Sequence, residues 1–211
     1  MRFRWEKLCG VAATVCLLCG SSVVSAAVLA PGSILFPSPG ESEPAGGTVI
    51  AGSVAPFVAG TFSGTLTTTV ISGDELNPYG GLTFVYQLSN SADSAHAIGR
   101  LTVNGFDGVA ASVAHGTPAA GTAPAYIDRP SADLIGFTFQ GVPLGEGLVA
   151  PGSSSAVLIV RTDAQTYLPS LASVIDGTVT SVETYAPVPE PAAIVLLGGG
   201  AIGMLRRRGR Y

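Results

Sequence analysis

Between Thr48 and Tyr185, apolar side chains recur at every second position in short runs, with no stretch at helical spacing. In Leu82–Leu88, Leu82, Phe84, Tyr86 and Leu88 alternate with Thr83, Val85 and Gln87. Successive side chains of a strand point to opposite faces, so such a run buries one face and wets the other. Phe62, Leu66 and Val70 share a face within Thr61–Ile71, as do Ile135, Phe137 and Phe139 within Leu134–Gln140. Ser155–Thr162 is apolar on both faces through Leu158, Ile159 and Val160, the pattern of a central strand. Thr48–Val58, Ile98–Phe106 and Val174–Tyr185 read as further strands, the last with a turn at Asp176-Gly177. Seven or eight short strands without an amphipathic helix predict an all-β fold. The expected architecture is an antiparallel β-sandwich over residues 48–185, with a jelly-roll-like arrangement as the alternative. Residues 107–132 and 141–152 read as loops, and 27–47 as a Pro/Gly-rich linker.

The two ends follow a different logic. Arg2, Arg4 and Lys7 precede the apolar stretch Leu8–Cys19, and small residues follow up to Ala27. This is the order of a secretory signal peptide, assigned to residues 1–26. Val24-Ser25-Ala26 fits the cleavage pattern and places the cut between Ala26 and Ala27. Cys16 follows Val15 and Cys19 follows Leu18, which does not suit a lipoprotein. Cys9, Cys16 and Cys19 all lie in this segment, so the mature chain has no disulfide, thiolate nucleophile or cysteine metal site. Its stability must come from an apolar core, or from ions and neighbours.

At the other end stands Val188-Pro189-Glu190-Pro191, then the apolar run Ala192–Leu205, then Arg206, Arg207, Arg208 and Arg210 before Tyr211. Fourteen residues at about 1.5 Å each reach roughly 21 Å, short of a hydrocarbon core of about 30 Å, so the run is a weak permanent anchor. The arginines favour the cytoplasmic side and act as a stop-transfer signal, which leaves the body on the far side. Pro189 and Pro191 hold an extended backbone around Glu190, a form that a processing enzyme can grip. Residues 186–211 thus form one sorting tail. This tail resembles the PEP-CTERM sorting signal of Gram-negative-type bacteria. The resemblance implies transient retention in the inner membrane until an exosortase, a membrane-bound cysteine-type transpeptidase, cuts near the Pro-Glu-Pro. It also implies a cell-surface or extracellular destination, in an exopolysaccharide context.

Charge narrows the partners. Between Ala27 and Pro189 only Arg100, Arg129 and Arg161 are basic, against twelve acids, a formal charge of −9. The sole lysine of the chain, Lys7, lies in the signal. An acidic body excludes nucleic acid as a partner, because that binding depends on cationic phosphate contacts.

Catalytic patterns are lacking in the body. His96 and His115 read as exposed loop histidines without metal-ligand spacing, and no Gly-x-Ser-x-Gly elbow occurs. Carboxylates are scattered, Asp133 among them, and no pair forms an acid/base couple by spacing. Asp74, Glu75 and Asn77 in one turn, and Asn90 and Asp93 in another, are oxygen groups of the type that calcium takes, but they read as solvated turn residues. Trp5 leaves with the signal, while Tyr79, Tyr126 and Tyr167 read as loop residues. No catalytic residue, metal or cofactor is therefore assigned. The expectation is an exported, non-enzymatic surface or matrix protein associated with extracellular polysaccharide. The alternatives are a secreted polysaccharide-active hydrolase or lyase, a sugar-binding module, or an uncleaved domain anchored to the inner membrane.

Overall fold

A computed structural model describes residues 27–141 and 147–189 of the 211. Six strands form one sheet: β2 (Gly40–Glu41), β3 (Thr48–Val58), β4 (Ser63–Ser72), β5 (Thr83–Asn90), β7 (Ala111–Gly116) and β10 (Leu158–Thr162). Their spatial order is β2-β7-β10-β5-β4-β3. The other six are β1 (Ser33–Leu35), β6 (Arg100–Val103), β8 (Tyr126–Arg129), β9 (Ile135–Thr138), β11 (Thr166–Asp176) and β12 (Thr178–Val188), in the order β1-β8-β9-β6-β11-β12. All pairings are antiparallel except β2 with β7. No helix occurs among the described residues. The chain is all-β, built from two largely antiparallel sheets.

Alternation explains why the sheets share one core. Phe84, Tyr86 and Leu88 of β5, Leu66 and Val70 of β4, and Leu158 and Val160 of β10 join one buried cluster with Leu101, Val103, Ile127, Ile135, Phe137 and Val174 of the other sheet. Fully burying such side chains stabilises by about 1.5–3 kcal/mol each. Phe84 meets Phe106 edge-on with ring centres 6.2 Å apart. Polar ties also cross the core: the Thr68 and Thr184 hydroxyls lie 2.9 Å apart, and the Tyr86 hydroxyl donates to the Tyr185 carbonyl at 3.2 Å.

Ser155–Thr162 is correctly placed as a central strand: β10 lies between β7 and β5, and its five residues are all buried. Two expectations need correction. Residues 107–132 are not a loop, because they carry β7 and β8. Ala111–Ala114 are buried on both faces, so the alternation that marks a half-exposed strand is missing. Residues 27–47 are not a linker. Val28 bridges to Ser112, β1 pairs with β8, β2 pairs with β7, and Leu29 is fully buried. Pro and Gly broke the periodicity by which strands are recognised, yet short edge strands tolerate both. Twelve strands result among the described residues, where seven or eight are legible.

Candidate functional site

The sorting junction starts in the fold itself. β11 and β12 form a hairpin around Gly177, whose φ of 63° suits the tight reversal. Its open end closes with Tyr167 opposite Pro187 and Thr166 opposite Val188. β11 pairs with β6 only over Ala172–Ile175, so this open end is two-stranded. Tyr167 and Tyr185 pack edge-on at 5.4 Å, and the Tyr167 hydroxyl donates to the Ile50 carbonyl. Gly105, at φ 93°, lets Ala186 approach: a Cβ there would stand 2.5 Å from the Ala186 Cβ. Pro189 is exposed immediately beyond the last pair. Val188 is therefore a strand residue and Pro189 the first residue past the strand. Glu190, Pro191, Ala192–Leu205 and Arg206, Arg207, Arg208 and Arg210 lie outside the described residues, as does Ala26. No helix among the described residues is long and apolar enough to cross a membrane.

Ala27, on the other side of the expected signal-peptide cut, is in the fold. Its carbonyl accepts from the Val113 amide at 3.1 Å, and its nitrogen donates to Glu41 Oε1 at 3.3 Å. Glu41 belongs to a buried ion cluster that spacing could not disclose. Arg161 Nη1 donates to Glu41 Oε2, Arg161 Nε to Asp74 Oδ2 at 2.9 Å, and Arg161 Nη2 to the Ser42 carbonyl at 3.0 Å. The three side chains are at most 8% exposed. Asp74 also accepts from Thr83 and from the amides of Ala45 and Leu76. The cluster clamps the arm at 41–45 onto the sheet over β10.

Asp74 and Asn77 are thus buried and bonded, and the expectation of solvated turn residues fails for them. Asn77 reaches the Gly81 and Thr162 carbonyls with its amide, and of the three oxygen-bearing residues Asp74, Glu75 and Asn77 only Glu75 is exposed. Asn90 is buried too, its amide bonded to the His96 and Val149 carbonyls. Burial pushes the Asp74 carboxyl upward, but Arg161 and the three other donors outweigh it and hold the group below its ordinary 3.8. Burial also lowers His115, which sits on β7 and not in a loop, with Ser38 Oγ 3.1 Å from Nδ1. Both groups have folded values below their unfolded ones. The stability each contributes is complete above the unfolded value and is lost as pH falls through the folded one. Melting temperature should therefore fall on acidification in two steps, beginning near pH 6.5 for His115 and below about pH 3.8 for Asp74. His115→Gln should abolish the first step and Asp74→Asn should flatten the second. An unchanged profile in either variant would refute that assignment.

Other polar residues singled out by the sequence bond within the fold. His96 is exposed and 3.1 Å from Asp176. Asp133 accepts from the Gly105 amide at 2.9 Å and fixes a turn. Tyr126 and Tyr167 lie on strands β8 and β11, where loops were expected. Arg129 donates to the carbonyls of Leu29, Phe106, Val109 and Ala132, and Arg100 pairs with Asp128 at 2.7 Å. All three arginines of the body are thereby spent internally. Among the described residues no three His, Cys, Asp or Glu side chains gather as a metal site. A shallow groove of about 430 Å³ runs between β3 and the hairpin, lined by Ser53, Pro169, Leu171, Glu183 and Tyr185.

Fold and junction together define an all-β domain that runs straight into a C-terminal sorting tail. Residues 187–209 match the PEP-CTERM protein-sorting motif, so the chain carries a PEP-CTERM sorting signal there. The motif implies export and exosortase processing at a membrane. No curated protein and no solved structure matched the chain. The match begins at Pro187, so its first two residues are strand residues of β12.

Proposed function

We propose that this chain is a non-enzymatic surface or extracellular-matrix protein, associated with extracellular polysaccharide after release from the inner membrane. A signal peptide ending at Ala26 carries it out, Ala192–Leu205 retains it in the membrane, and the arginines stop its transfer. An exosortase then cuts near Pro189-Glu190-Pro191. The observation that carries the reading is the sorting motif joined directly to a β domain whose cations are all internal. The exposed carboxylates Glu43, Glu75, Asp93, Asp107, Asp133, Asp163 and Glu183 give that domain an acidic, strongly hydrated surface. Such a surface suits a hydrated polymer layer and repels anionic lipid once the tail is gone.

The paired carboxylates Glu41 and Asp74 share Arg161 in the interior with at most 8% exposure, so they support scaffold over catalysis. The test is intact-mass analysis and terminal mapping of protein recovered from the host, with retention measured on the host's extracellular polymer. The expected product begins at Ala27, lacks everything beyond the Pro-Glu-Pro region and binds the polymer. Recovery of Tyr211 in the membrane fraction would make it an uncut anchored domain. Release of reducing sugar from the polymer would make it an enzyme.

A further inference from the structure

The buried ion cluster is unbalanced. Glu41 and Asp74 supply two carboxylates against one guanidinium, a formal charge of −1 in a site with almost no exposure. A buried charge left without a partner is costly, and such sites are normally completed by a further donor or cation. Arg161 occupies Glu41 Oε2, while Oε1 faces the Ala27 nitrogen at 3.3 Å. No other cation of the body is free to fill the deficit, because Arg100 pairs with Asp128 and Arg129 is bonded to backbone carbonyls. The Ala27 nitrogen is also held in place. The Ala27 carbonyl is bonded to Val113, Val28 bridges to Ser112, and the Leu29 side chain is buried beneath.

We propose that removal of the signal peptide completes this cluster: the new α-ammonium of Ala27 docks on Glu41 and forms a partly buried ion pair that the precursor cannot make. In the precursor this nitrogen is an amide with one proton and no charge. Hydrolysis of the Ala26–Ala27 peptide bond by water leaves a carboxylate on Ala26 and an ammonium on Ala27. The ammonium brings one positive charge and three donors to the atom already aimed at Glu41. Export is thus read by the fold, and the domain reaches full stability after the leader has gone. The inference rests on the assignment of the cleavage site given above.

The sequence offers a direct probe. The mature chain has no lysine, so its α-amine is the sole primary amine. Protein exported and processed in its host is first mapped at its N-terminus, then treated with an amine-acylating reagent. With the amine docked, acylation should be at least about tenfold slower in the native protein than in urea, since only opened molecules react. Insertion of one glycine between Ala26 and Ala27 displaces the amine without touching the cluster. That variant should acylate at the rate seen in urea and melt roughly 3–10 °C lower. Glu41→Gln, where it folds, should likewise unmask the amine. Equal rates for native and unfolded wild type would overturn the proposal. A mature chain that starts at a residue other than Ala27 would overturn it too, by removing the cleavage assignment before any acylation is measured.

Discussion

Replacing Arg161 with alanine is expected to cost the domain about 3–5 kcal/mol, the loss typical of breaking a buried ion pair by removing one partner. The reason is what remains behind. Glu41 and Asp74 would face each other's surroundings with no guanidinium between them, and the Ser42 carbonyl would lose its donor. Arg161→Lys should recover only part of the loss, because an ammonium is a point charge and cannot fork to two carboxylates and a carbonyl. Urea unfolding followed by far-UV signal checks this, since the sole tryptophan, Trp5, lies in the expected signal peptide. A loss below about 1 kcal/mol for the alanine variant would place the cluster among ordinary surface pairs. The arm at 41–45 should loosen along with it, and the Ala45 amide, bonded to Asp74, should lose protection from hydrogen exchange.

The second large effect lies in the tail. Glu190→Ala, or Pro189→Ala with Pro191→Ala, is expected to slow tail removal by about tenfold or more, the scale of losing one central recognition contact. Pulse labelling followed by intact mass reads the result as retention of Tyr211 in the membrane fraction. Glu183→Ala is the control. Glu183 is an exposed acid on β12 only a few residues upstream, so charge loss near the junction is matched without touching the motif. Similar processing of Glu190→Ala and wild type would remove Glu190 from the recognition element.

Much of the fold was legible because alternation is local. β3, β4, β5 and β9 follow from residues two apart, and β10 from an unbroken apolar run between turn signals. The tail was legible for the same reason, since its three parts are contiguous. What escaped was non-local or lacked contrast. β7 is small and buried on both sides, so no polar partner marks its period. The first half of β11 carries Leu168, Pro169 and Leu171, which gives neither clean alternation nor an interior strand composition. The ion cluster joins residues 41, 74 and 161, and no spacing along the chain relates them. Asp74 read as a turn residue because it is one. Its burial depends on an arginine 87 positions away.

The last paired residue of the domain, Val188, stands four residues before Ala192, where the apolar segment of the tail begins. A fully extended chain of that length covers about 14 Å at most. In the proposed membrane-retained state, with Ala192–Leu205 in the bilayer, the domain is moored within that reach. The open end of the β11–β12 hairpin, with the Gly105–Ala186 contact beside it, is then the part of the domain nearest the lipid. On the same proposal, an exosortase works within that short span between the last strand and the membrane. A cut near Pro189-Glu190-Pro191 would then leave a product that ends almost flush with its final strand, with nearly all trace of its delivery removed.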